Sequence, residues 1–146
     1  MSMPPQLSIL TLGVADLDRS IDFYRALGWR QAGSSVPGVI AWFDIGGAWL
    51  GLFPTEELAA DAGLKGPDAA RGLFDGVTMA INLADEAAVD AALGAALAAG
   101  GTLRLPARRL DWGLYGGYVA DPDGHLWELA YNPTFPMRPG GGIDIP

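Results

Sequence analysis

Tyr118-Val119-Ala120-Asp121-Pro122-Asp123-Gly124-His125-Leu126-Trp127-Glu128-Leu129-Ala130-Tyr131-Asn132-Pro133 is the stretch from which the rest of the chain can be read. Two apolar runs flank Asp121-Pro122-Asp123-Gly124, where proline presets φ at the second turn position and aspartate and glycine suit the positions around it. This predicts a β-hairpin. Along its second strand side chains alternate, so Leu126, Glu128 and Ala130 share one face and Trp127, Leu129 and Tyr131 share the other. Glu128 is then a carboxylate among apolar neighbours. Burying a charge is costly without a partner, so such a group is paired, protonated or functional.

Working outward, the same order of elements occurs twice. Leu7 to Val14 reads as a strand. Asp16 caps a helix carrying Leu17, Ile21, Tyr24 and Leu27 at helical spacing, and Gly28 ends it. Strands are predicted at Trp29 to Gly33 and Val39 to Ile45, and Gly46-Gly47 turns the chain into Ala48 to Phe53. Residues 54–76 read as a linker with a short helix, Glu56 to Ala62, followed by Gly63, Gly66, Pro67 and Gly72. Val77 to Leu83 then opens the second copy. Asp85 caps a helix to about Ala99 with Val89, Leu93, Ala96 and Leu97 as its stripe, Gly100-Gly101 ends it, and Thr102 to Leu105 leads through a long loop to the opening hairpin.

Leu12-Gly13-Val14-Ala15-Asp16 aligns with Ile81-Asn82-Leu83-Ala84-Asp85, and Gly46 to Leu52 aligns with Asp123 to Leu129. The offset grows from 69 (81 minus 12) to 77 (124 minus 47), which places eight extra residues in the second copy, most simply between Pro106 and Gly116. Such a duplication implies a pseudo-two-fold architecture.

Bulk properties narrow the function. The 146 residues fit one compact domain or two small modules sharing a core, and half of them are hydrophobic, ample for burial. A formal charge of −8 repels nucleic acid and anionic membranes and favours cationic small molecules. Without cysteine there is no thiol nucleophile, disulfide or thiolate metal site. The N-terminus lacks a basic region followed by an apolar one, and no apolar run approaches membrane-spanning length, so a cytoplasmic protein is expected.

Leu12-x-Val14-x-Asp16, Ser20-Ile21-x-Phe23-Tyr24, Leu27-Gly28 and Asp121-Pro122-Asp123-Gly124-His125-x-Trp127-Glu128 together resemble the vicinal oxygen chelate superfamily, which includes glyoxalase I, bleomycin-resistance proteins, fosfomycin-resistance proteins and extradiol dioxygenases. The resemblance covers residues 7 to 133. It implies an α+β fold of two βαβββ modules, 7–53 and 77–133, related by pseudo-two-fold symmetry, with mixed sheets around a central cavity and helices outside. Residues 1–6 and 134–146 are then an extension and a tail. Fold does not fix function in such a family.

Metal-using members of that family place one ligand on the first and last strand of each module. By resemblance those positions are Ile9, Gly51, Thr78 and Glu128, of which only Glu128 could bind a metal strongly. A lone carboxylate cannot hold a divalent ion, so no metal and no cofactor is expected. His125 lies an odd number of residues from Glu128, which on a strand puts it on the opposite face, and it reads as a turn-edge residue.

The resemblance also implies that Ile9, Thr11, Trp49, Gly51, Phe53, Thr78, Ala80, Asn82, Leu126 and Glu128 point inward, with Trp112, Tyr115 and Tyr118 at the rim. That is the composition of a small-molecule site. The alternative is a solid core in which Arg104, Arg108 or Arg109 neutralises Glu128. Three functions follow: a metal-free binder, like bleomycin-resistance proteins, holding a cationic aromatic ligand on Trp49, Trp112 and Glu128; a metal-independent lyase or isomerase with Glu128 as general acid or base and Thr78, Asn82 and Tyr115 holding the ligand; or an interaction module docking through its tail. A metal-dependent glyoxalase I or dioxygenase is a further alternative, and a homodimer is expected because open sheets leave edges to cover.

Overall fold

The computed structural model describes residues 3, 5–66, 72, 74–75 and 77–146. The protein is α+β, with two open mixed sheets of three and four strands, and divides into two compact units, Met1–Gly72 and Leu73–Pro146. Pro67, assigned to the linker from sequence, lies outside the described residues.

The first unit runs β1 (Ile9–Val14), α1 (Leu17–Ala26), β2 (Ala41–Asp44), β3 (Trp49–Pro54) and α2 (Thr55–Asp61). Its sheet has the order β1-β3-β2, with β1 parallel and β2 antiparallel to β3. Asp16 starts α1 by accepting the Arg19 amide at 3.0 Å. At the other end the Trp29 amide donates to the Tyr24 carbonyl and the Gly28 amide to the Arg25 carbonyl, with Gly28 at φ +83°, which satisfies the last carbonyls of the helix. Leu17, Ile21, Phe23 and Tyr24 of α1 are buried, as are Leu12, Val14, Ala41, Phe43, Leu50 and Leu52 of the sheet. The Tyr24 ring lies 5.8 Å from Phe43 and 5.3 Å from Trp29. One face of the sheet is therefore a core face against α1.

The second unit runs β4 (Met79–Asn82), α3 (Glu86–Ala98), β5 (Thr102–Arg109), β6 (Tyr115–Ala120) and β7 (Leu126–Tyr131), with sheet order β4-β7-β6-β5. Asp85 caps α3 through the Ala88 amide at 2.7 Å, and the helix ends as α1 does: Gly101 donates to Ala96 and Gly100, at φ +106°, to Leu97. Val89, Leu93 and Ala96 are buried with Val119, Trp127 and Leu129 of the sheet.

The registers confirm the internal repeat residue by residue. Thr11 pairs with Gly51 between the parallel strands of the first unit, and Ala80 pairs with Glu128 in the second. On the next ladder Trp42 pairs with Gly51, and Tyr118 with Glu128. Trp42 and Tyr118 are offset by 76 (118 minus 42) but Gly51 and Glu128 by 77 (128 minus 51). Seven of the eight extra residues thus precede β6, and the eighth is in the β6–β7 turn, where the Asp121 carboxylate accepts the amides of Asp123 and His125.

Two expectations need correction. The strand over Trp29 to Gly33 is reduced to a single bridge, Gln31 to Phe43, because Trp42 gives its amide to the Ser35 hydroxyl at 3.1 Å as the chain turns away. The loop expected from Pro106 to Gly116 is instead mostly strand. β5 continues to Arg109 through irregular register between Leu103 and Arg108, and the turn is confined to residues 110–114. Pro106 is tolerated because β5 is an edge strand and Pro106 falls in the register break between Leu105 and Arg108, outside the paired positions.

Candidate functional site

In the first unit α1 covers one face of the sheet, and in the second α3 does. The opposite face of the first unit carries two cross-strand rows, since residues paired on adjacent strands point the same way. One row is Ile9, Trp49 and Asp44; the next is Thr11, Gly51 and Trp42, with Phe53 one step beyond on β3. Gly51 leaves a gap between Thr11 and Trp42. A Cβ there would stand 2.9 Å from the Thr11 Oγ1, so the threonine already leans over the glycine. Ile9, Ala32, Ser34, Trp42 and Trp49 line a cavity of about 270 Å³ on this face.

Arg30 lies against the Trp49 wall of this pocket. Its guanidinium lies over the Trp49 ring, 5.4 Å from the centroid, while Nη2 donates to Asp44 Oδ2 at 2.6 Å. The other Asp44 oxygen accepts the Gly46 amide at 3.0 Å. That amide, followed by the arginine, holds the Asp44 carboxyl below its ordinary pKa, so the pair stays charged. One face of the indole expected to anchor a cation thus already carries one.

The equivalent face of the second unit carries Ala80, Glu128 and Tyr118 in one row, with Asn82 and Ala130 in the next. Tyr118 stands where the first unit has Trp42, and Glu128 where it has Gly51. Thr78 and Glu128 both hydrogen bond to the Tyr118 hydroxyl. Burial first, then the negative charge of Glu128, raises the phenol pKa; the Glu128 hydrogen bond adds to this and the Thr78 bond opposes it. The phenol therefore donates to the carboxylate and accepts from the threonine. Among the described residues Glu128 is met by a phenol and not by an arginine: Arg109 forks onto Glu86, with Nε and Nη2 at 2.9 and 2.6 Å from Oε1.

Ile9, Thr11, Trp49, Gly51 and Phe53 thus share the face of the first unit opposite α1, and Asn82, Tyr118 and Glu128 share the face of the second opposite α3, with Thr78 bonded to Tyr118. Tyr115 does not join them. It alternates with Tyr118 on β6, and its hydroxyl donates to Asp90 of α3 at 2.7 Å, on the helix side. Trp112 lies in the β5–β6 turn and is 61% exposed. Trp42 was missed from sequence. Closing the Gly46-Gly47 hairpin in register, Asp44 opposite Trp49, would have put Trp42 beside Gly51 on the pocket face.

The chain matches the family described as Glyoxalase/Bleomycin resistance protein/Dioxygenase superfamily over residues 6–129. It belongs to this superfamily. A glyoxalase-related enzyme from Fulvimarina pelagi is 32% identical with a TM-score of 0.84, over 97% of this chain and 99% of that one. A glyoxalase/bleomycin resistance protein/dioxygenase from Nocardioides is 26% identical with a TM-score of 0.69, over 90% and 85%. Lactoylglutathione lyase from Agrobacterium tumefaciens is 25% identical with a TM-score of 0.66, over 90% and 96%. Curated proteins give no match. Among the described residues no helix is long and apolar enough to cross a membrane.

By the resemblance drawn from the sequence, metal-using members of the superfamily would draw ligands from the positions of Ile9, Gly51, Thr78 and Glu128. Two of these carry no donor side chain, and the third has a neutral hydroxyl directed at Tyr118. Among the described residues no three His, Cys, Asp or Glu side chains gather at one point. The residues at the superfamily's metal positions therefore do not fit a divalent ion, which needs several oxygen or nitrogen donors.

Proposed function

We propose that this protein binds a small, planar organic molecule on the tryptophan-bearing face of its first unit, without a metal. The observation that carries this reading is the cavity of about 270 Å³ between Ile9, Trp42 and Trp49. Two indoles and a branched aliphatic side chain on the sheet face opposite α1 offer stacking area, and the Ser34 hydroxyl and Arg30 guanidinium are polar groups able to orient a ligand. Native mass spectrometry with elemental analysis, on protein purified without added metals or chelators, tests it. A retained organic mass and no stoichiometric metal support the reading. A stoichiometric divalent metal contradicts it.

A second reading, a metal-independent lyase or isomerase, is favoured by the Thr78–Tyr118–Glu128 chain. There Glu128 would take a proton from a carbon beside a carbonyl. Tyr118, held protonated, would orient the carboxylate, and Thr78 would fix the phenol. The likeness to a lactoylglutathione lyase and to a glyoxalase-related enzyme supports this alternative. Turnover of a 2-oxoaldehyde thiohemiacetal that is lost in Glu128→Gln would establish it over simple binding.

A further inference from the structure

Resting on the binding reading above, the geometry points to a ligand that carries an anionic group, and we propose that Arg30 is the residue selecting it. The acidic chain as a whole favours cations, but at about 0.15 M salt exposed charges beyond roughly 8 Å are largely screened, so the groups bordering the pocket decide. At its Trp49 wall these are Arg30, over the ring, and Asp44, across the ladder, and they are not equally available. Asp44 has one oxygen on Arg30 and the other on the Gly46 amide, which directs the carboxylate toward its own hairpin turn. Arg30 donates to Asp44 through Nη2, leaving most of the five N–H donors of a guanidinium for a ligand. Its side chain is 66% exposed, so these donors are within reach of solvent and of anything entering the pocket.

Position reinforces availability. The guanidinium lies against the Trp49 ring, and Trp49 is itself a wall of the cavity. A planar ligand lying along the indoles with a carboxylate at its edge meets a planar fork that matches carboxylate geometry. A ligand with an ammonium in that place meets like charge over a ring whose π face is already engaged by a cation. Asp44 then acts as a positioning residue that holds Arg30 over Trp49.

The test is isothermal titration of three probes sharing one ring system: 2-naphthoate, 2-naphthalenemethanol and 2-naphthylmethylammonium. The wild-type protein is expected to bind the anion about fivefold more tightly than the cation, the scale of one exposed charge pair. Arg30→Ala leaves the Asp44 carboxylate without its guanidinium, so the order reverses and the cation binds better, while Arg30→Lys keeps the original order. Arg30→Gln, which retains most of the side chain's length and packing, checks the reversal if the alanine variant misfolds. A role of Arg30 in stability alone would weaken all three probes together without inverting their order. Equal or tighter binding of the cation by the wild-type protein overturns the selection by Arg30 while leaving the binding reading intact. Absence of binding by all three probes overturns the binding reading and this inference with it.

Discussion

Tyr118 stands directly across the β6–β7 ladder from Glu128 and gives its phenolic hydrogen to the carboxylate. The charge that looked stranded from sequence thus has a neutral donor as partner. The carboxylate is half-buried, and its partner in this bond is a neutral hydroxyl and not a cation.

Because burial and then Glu128 raise the Tyr118 pKa, this phenol should ionise above an ordinary tyrosine. A folded pKa above the unfolded one contributes stability that is complete below about pH 10, the unfolded value, and is lost as pH rises through the folded value. Absorbance titration of phenolate should show a late-ionising tyrosine, and Glu128→Gln should move it down only part of the way, since burial remains. An unchanged titration in that variant would separate the two residues.

Tyr115 provides the matching control on the helix side. Its hydrogen bond to Asp90 is the largest cause raising its pKa. Asp90→Asn should therefore lower the ionisation of Tyr115 and leave Tyr118 where it was, which difference titrations of Tyr115→Phe and Tyr118→Phe can resolve.

The two halves were legible because each states its boundaries in local chemistry. Asp16 and Asp85 are caps whose oxygens reach an amide three residues on, and Gly28 and Gly100 supply the positive φ that ends each helix. Gly51 aligns with Glu128 because the turn glycines Gly47 and Gly124 mark the register. Less was legible where pairing is non-local. The irregular β5 ladder depends on how closely two backbones approach, and the shortened strand near Gln31 depends on a Ser35 hydroxyl that competes for one amide. Tyr115 and Tyr118 are both plausible rim residues by composition. Only the phase of β6 relative to α3 sends one to Asp90 and the other to Glu128.

Gly117 is required by that close approach. A Cβ there would lie 2.6 Å from the Leu105 carbonyl oxygen and 2.9 Å from the Ala107 nitrogen, both backbone atoms that side-chain rotation cannot move. Gly117→Ala should cost about 2 kcal/mol or more in urea unfolding, in the range of overpacked core sites. Gly51→Ala meets a threonine side chain instead, and combining it with Thr11→Ala should recover most of its smaller loss.

The helix caps should behave as equivalents. Asp16→Ala and Asp85→Ala each remove a carboxylate that accepts a helix N-terminal amide, and each should lower stability by about 1 kcal/mol. Asparagine at either position should restore most of it, because its side-chain oxygen accepts the same amide.

A metal-free aromatic pocket in the first unit is tested most directly by titrating 2-naphthalenemethanol into protein dialysed against a chelator, beside Trp42→Ala and Trp49→Ala. Saturable binding that survives the chelator and weakens about tenfold or more in either tryptophan variant is the expected result. Binding that appears only when a divalent metal is restored, or that persists undiminished without Trp42 and Trp49, would contradict it.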